Sequence, residues 1–276
     1  MTEHWYLFPV GVAVASAGMS SGISGSNFWI PIYLLFLELE PRLAFWVSLL
    51  TMLFGFGSGV ARNAQAGTLD LAVAQSLALV LVPATLLGAG ASTVLDGRWA
   101  ILGFAVFAFG YAVALALEAR RGGRARLETP AGAGQVGAAQ AHPWRGRVVR
   151  VALGGALQGL IATGSGTLML GALLAHPRVR DQATAIGTTV LLVFVASLLA
   201  VVGRIDGAMV AVLRDRWPEI AGILAFAGPG VVLGGQLGPR LARPIGRRTL
   251  RAYVAALLLG VSGLMAYRAA VAFGVA

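Results

Sequence analysis

Five stretches of this chain, 43–61, 71–95, 99–117, 151–175 and 182–203, contain no Asp, Glu, Lys or Arg. Each is close to the ~20 apolar residues that cross a bilayer as a helix. In hydrocarbon every backbone N–H and C=O must be satisfied within the segment or by its neighbours. Such stretches therefore fold as helices. The whole chain is only 12% charged, against about 25% in a soluble domain, so it cannot cover a water-facing surface. The expectation is an all-α, polytopic integral membrane protein whose main partner is the lipid bilayer.

The net charge of +10 does not point to nucleic acid. All 21 basic residues are Arg, and most flank the apolar segments, the distribution that the positive-inside rule produces. With 0 Cys, disulfides, thiolate metal sites and persulfide chemistry are excluded. No metal and no cofactor are expected. Ala15-Ser16-Ala17 faintly resembles a signal-peptidase site. The preceding region carries Glu3 and no Arg, so a retained first segment is expected.

Apolar segments run over 5–20, 27–37, 43–61, 70–94, 98–117, 147–163, 167–175, 181–203, 217–239 and 249–270. Between them, residues 119–146 are rich in Gly, Ala and Arg without periodicity, as in a flexible linker. This divides the chain into an N-terminal repeat 1–118, a linker 119–146 and a C-terminal repeat 147–276. Ser24-Gly25-Ser26 matches Ser165-Gly166-Thr167 at an offset of 141. Gly67-x-x-Asp70 matches Gly203-x-x-Asp206 at 136, and Pro83 and Leu87-Gly88 match Pro229 and Leu233-Gly234 at 146. Each half then reads as a Gly/Ser-broken hairpin, re-entrant or made of two short crossings, followed by three transmembrane helices. Placing the linker inside puts 15 arginines inside and 6 outside if 27–37 and 167–175 turn back as hairpins. The split is 12 to 9 if they continue as broken helices. The hairpin arrangement makes the halves inverted-topology repeats, as in many secondary transporters.

The breaks carry the candidate chemistry. Residues 19–27 hold Gly22, Ser24, Gly25, Ser26 and Asn27, and residues 162–167 hold Gly164, Ser165, Gly166 and Thr167. Gly permits an unwound backbone, and Ser, Thr and Asn are natural caps for the helix that follows. The N-terminus of that helix offers N–H groups and partial positive charge to an anion. Ser48 and Thr188 are secondary candidates, beside Thr51, Thr184, Thr189 and Gln158, against back-bonding to their own helix carbonyls. The pairs Gly18/Gly22, Gly55/Gly59, Gly155/Gly159 and Gly230/Gly234 read instead as helix-packing motifs. No Asp, Glu, Arg or His lies deep within a span, which argues against proton relays and cation sites. Gly22-Ile23-Ser24-Gly25 also fits the Gly-x-Ser-Gly of intramembrane serine proteases. That chemistry needs a His base, and His4, His142 and His176 sit outside the spans. A purely structural membrane protein is the remaining alternative, and no enzyme is expected.

Two halves, each opening on a Gly-rich break and a short helix around a basic linker, resemble the sulfite exporter TauE/SafE family, also called the toluene sulfonate uptake permeases. The resemblance implies a multi-pass bacterial inner-membrane carrier, with the linker cytoplasmic. Its implied substrate is a small oxyanion such as sulfite, sulfoacetate or another sulfonate, moved mostly outward. Uptake or channel-like passage of another small anion is the alternative, and a homodimer is compatible with either. Ser24, Ser26 and Asn27 make the first break less Gly-rich than is usual there. The thiosulfate-uptake proteins of similar architecture rely on cysteines, which this chain lacks.

Overall fold

The computed structural model describes residues 2–21, 25–121, 144–179, 181–241 and 247–274. Among these residues there are ten α-helices and no strand. They are α1 (Leu7–Ser21), α2 (Ser26–Leu35), α3 (Pro41–Gln65), α4 (Leu71–Val94), α5 (Gly97–Arg121), α6 (Trp144–Ile161), α7 (Ser165–Leu174), α8 (Gln182–Gly203), α9 (Gly207–Leu241) and α10 (Arg247–Ala272). Six of them, α3, α4, α5, α8, α9 and α10, are long and apolar enough to cross a membrane. The all-helical, multi-span architecture is as the sequence implies. Nearly all of the expected linker lies outside the described residues.

Short polar signals set the helix starts. Asp70 accepts the Val73 N–H at 3.0 Å and caps α4. Asp181 accepts the Thr184 N–H at 2.7 Å and caps α8. Asp206 accepts the Met209 N–H at 2.8 Å ahead of α9. Asp70 and Asp206, matched in the sequence, thus do the same work at the fourth helix of each half: they satisfy an otherwise unpaired first-turn donor.

The helices pack in pairs: α1 on α9, α6 on α4, α3 on α8, α5 on α10, with α3 also on α9 and α8 on α4. Exchanging α1–α5 for α6–α10 turns α1/α9 into α6/α4, α3/α9 into α8/α4 and α2/α3 into α7/α8. It leaves α3/α8 and α5/α10 unchanged. Two glycine seams let backbones touch. A Cβ on Gly159 would stand 2.2 Å from the Thr85 carbonyl oxygen, and one on Gly88 would stand 2.2 Å from that of Ala156. On the other seam, Cβ atoms on Gly230 and Gly234 would stand 2.4 Å from the carbonyls of Phe8 and Val12. The packing role expected for Gly155, Gly159, Gly230 and Gly234 is therefore seen. Gly55 meets Val231, 2.7 Å from its would-be Cβ, and Gly22 lies outside the described residues. Leu79, Leu87, Val94, Val106 and Val202 are exposed on the outer surface, where a membrane protein meets lipid.

Two ends of the bundle can be distinguished. At the linker end, where α5 finishes and α6 begins, the Asp70 N–H donates to Thr188 Oγ1 at 3.0 Å. At the far end, Arg42 pairs with Asp206 and Arg98 lies over the Phe273 ring at 5.3 Å.

Candidate anion site

The second break is a tight reversal. Ser165 Oγ donates to Gln158 Oε1 at 2.7 Å. Arg150 and Arg147 then reach the carbonyls of Gly171 at 3.3 Å and Ala175 at 3.2 Å. These bonds lay α7 back along α6 as an antiparallel hairpin. Ten residues make α7 about 15 Å long, half the hydrocarbon thickness. The reversal needs two left-handed residues, Ala162 at φ 56° and Gly164 at φ 93°. A Cβ on Gly164 would lie 3.0 Å from the Phe107 ring. Only glycine takes that place without strain.

The first break is built differently. Gly25 precedes α2 with an ordinary φ of −61°. Met52 Sδ lies 3.1 Å from where its Cβ would stand. Gly25, Ser26 and Asn27 are buried. Gly22 and Ser24, both expected in the site, lie outside the described residues.

The capping residues differ from those expected. α2 and α7 both begin directly after a glycine, Gly25 and Gly164, and neither start has a side-chain cap. Ser, Thr or Asn therefore does not occupy the N-cap positions, and no side-chain oxygen competes there for the first-turn N–H groups. The structural match between the halves runs from Gly25 to Gly164, two residues out of register with the sequence match.

The two breaks touch. Thr163 Oγ1 donates to Asn27 Oδ1 at 2.5 Å, and both residues are fully buried. That bond leaves the Asn27 amide nitrogen as the donating end of its side chain. Beside it, Gln158 Nε2 donates to Ser197 Oγ at 2.9 Å, so Gln158, Ser165 and Ser197 form a closed chain. On the other flank Trp29 is stacked on Tyr33, with centroids 5.3 Å apart, and Tyr33 and Thr51 share a hydroxyl–hydroxyl bond of 2.7 Å. Trp29 is fully buried, yet its indole N–H has no acceptor among the described residues. Trp29 Cδ1 lies 3.9 Å from the would-be Cβ of Gly25, so this unpaired donor stands at the first break. At the second, nothing lies within 4 Å of a Cβ on Gly166. Among the described residues, the side chains named at this junction are neutral, and Trp29 and Asn27 bring N–H donors to it.

A comparison with protein families decides the class. The model described as sulfite exporter TauE/SafE matches residues 7–265. The chain belongs to the sulfite exporter TauE/SafE family. Neither the comparison with curated proteins nor that with solved structures returned a match. Membership makes this TauE/SafE protein a membrane transporter.

The other expected site residues fall elsewhere or are already engaged. Thr167 Oγ1 donates back to the Gly164 carbonyl at 3.3 Å. Ser48 donates to the Phe45 carbonyl at 2.7 Å and Thr51 to that of Val47 at 2.9 Å. Thr189 likewise donates to the Ala185 carbonyl at 2.8 Å. Thr188 sits at the linker end, nine residues or about 13 Å along α8 from Ser197. His176 lies half-buried after α7, where its Nδ1 accepts the Arg178 N–H at 3.3 Å. Partial burial, then Arg147 and Arg178, hold its pKa below the ordinary value.

Two residues of the neighbourhood are not visible as functional in the sequence. One is Trp29, an aromatic in an apolar segment like many others. The other is Arg204, which the sequence places outside the spans as a flanking arginine. It is 3% exposed, and its Nε and Nη2 donate to the Gly159 carbonyl at 3.0 and 2.8 Å. The signal for Arg204 was its place between two matched residues, Gly203 and Asp206, where the first half has Thr68.

Proposed function

We propose that this TauE/SafE protein carries a small organosulfur oxyanion, such as sulfite or a sulfonate, held where the two breaks meet. The observation that carries the reading is the contact of Asn27 with Thr163 beside two uncapped helix starts and the unpaired N–H of Trp29. Helix N-termini and neutral N–H groups hold a compact oxyanion without a buried base or acid. Sulfite and sulfonates present three oxygens, each able to accept from more than one donor.

Several finer points belong to the same proposal. The halves 1–118 and 147–276 act as inverted repeats around the site, with 119–146 cytoplasmic, in keeping with the arginine distribution. Transport runs outward. An inside-negative potential favours exit of an anion by about 2.3 kcal/mol per charge per 100 mV, which drives export without a titrating side chain. The space beside Gly166 and the exchange symmetry of the helix pairs support this reading.

The test is equilibrium binding to purified protein across sulfite, sulfoacetate, methanesulfonate and sulfate, with the Trp29→Phe variant in parallel. Phe keeps the stacked, buried ring and removes only the N–H. A lost hydrogen bond to a charged ligand costs about 1.5–3 kcal/mol. The variant is expected to bind at least about ten-fold more weakly at an unchanged melting temperature. Unchanged affinity in Trp29→Phe would move the site away from the breaks.

A further inference from the structure

The carbonyls at the end of α6 face the second break, and one of them is held by a buried cation. Arg204 follows α8 directly, and its guanidinium folds back from the far end onto Gly159. Gly159 stands in the last turn of α6, four residues before Thr163. The charge is therefore anchored on the same helix end from which the second break departs.

Among the described residues Arg204 has no carboxylate partner. Its Nε and Nη2 both donate to a single neutral oxygen, and the Phe45 ring lies 5.8 Å from its Cζ. Asp206, two residues further along the chain, is taken by Arg42. A buried charge is tolerated when it is paired or hydrogen-bonded throughout. Here two of the five guanidinium N–H groups are used. Ionisable side chains buried in a membrane bundle mark ion pathways.

Capping of α6 explains part of this. An arginine at a helix C-terminus satisfies end carbonyls and suits the dipole. It does not explain a permanent charge where an amide would serve. The repeat sharpens the point. Thr68 takes the place of Arg204 at the linker end, and its hydroxyl bonds Asn63 at 3.2 Å. The matching place in the first half thus holds a neutral hydroxyl, although the helix pairing of the two halves is symmetric.

We infer that Arg204 forms a second anion station, between the junction of the breaks and the far end of the bundle, that holds the substrate by charge and favours dianions over monoanions. This rests on the proposed site at the breaks, whose donors are neutral. An anion passing from the breaks to the far end meets the three unused N–H groups of Arg204. Arg42 is kept from competing by Asp206.

The test compares binding of sulfate and methanesulfonate, oxyanions of similar size and different charge, to wild-type, Arg204→Gln, Arg204→Lys and Trp29→Phe proteins. Wild type is expected to prefer the dianion by about ten-fold or more. Arg204→Gln, which retains a donor for the Gly159 carbonyl, is expected to lose most of that preference, and Arg204→Lys to keep it. Trp29→Phe is expected to weaken both anions by the same factor. A folded Arg204→Gln protein with the wild-type preference would reduce Arg204 to a cap on α6. If Arg204→Gln does not fold, the wild-type ratio decides: equal binding of the two anions overturns the inference. Failure of the underlying reading looks different, because Trp29→Phe would then leave both affinities unchanged.

Discussion

The two breaks occupy matching places in the sequence of the two halves, yet their described residues are built differently. The second is strained and spacious. It contains Ala162 and Gly164 in left-handed conformations and has room beside Gly166. The first has an unstrained glycine under Met52 and a buried aromatic stack formed by Trp29 and Tyr33. One break is shaped by left-handed residues, and the other carries an indole N–H without an acceptor among the described residues. A site between two repeats therefore need not be symmetric. What the repeats share is uncapped helix starts that meet at a single bond from Thr163 to Asn27.

The largest effect expected from this difference is on folding. Gly164→Ala places a side chain at φ 93° against the Phe107 ring. A left-handed non-glycine residue costs about 1–3 kcal/mol, so the melting temperature in detergent should fall clearly. Gly25→Ala meets only the flexible end of Met52 at an ordinary φ and should lower it little. Equal losses in the two variants would break the comparison.

A smaller effect is expected at the contact itself. Thr163→Val and Asn27→Ala each remove the bond between the breaks, a net loss of about 0.5–1.5 kcal/mol for a hydrogen bond, with more where the partner is left buried and unpaired. The double variant should cost less than the two single variants together, because they share one bond. Strict additivity would show that the breaks do not communicate through these residues.

The smallest effect lies outside the breaks, at the Arg42–Asp206 pair. The Arg42 side chain, followed by the Met209 N–H, holds the Asp206 carboxyl below the ordinary carboxylate value. A depressed folded pKa contributes stability above the unfolded pKa and loses it as pH falls through the folded one. Wild type should therefore lose a little stability below about pH 4 that Asp206→Asn does not lose. Identical acid profiles for the two proteins would remove this contribution.

Much of the architecture was legible in the sequence because hydrocarbon leaves few choices. Uncharged stretches of about 20 residues become helices, whereas the capping by Asp70 and Asp206, matched in the sequence only as a repeat, came from the structure. The glycine pairs 155/159 and 230/234 announced close seams for the same reason. The site was less legible. Ser165 reads as a ligand, but its proton is spent on Gln158, a partner that only the hairpin brings within reach. Ser48 and Thr167 satisfy their own backbone, and Thr188 belongs to the other end of the bundle. The unpaired N–H of Trp29 and the burial of Arg204 depend on what lies around them, which no periodicity encodes.

The most direct test of an anion held between the breaks uses the absence of native cysteine. Gly166→Cys places one thiol in the open space at the start of α7, and a small anionic methanethiosulfonate reagent reports its accessibility. The account predicts that methanesulfonate, at concentrations that saturate transport, slows modification several-fold. Modification at an unchanged rate under those conditions would contradict it.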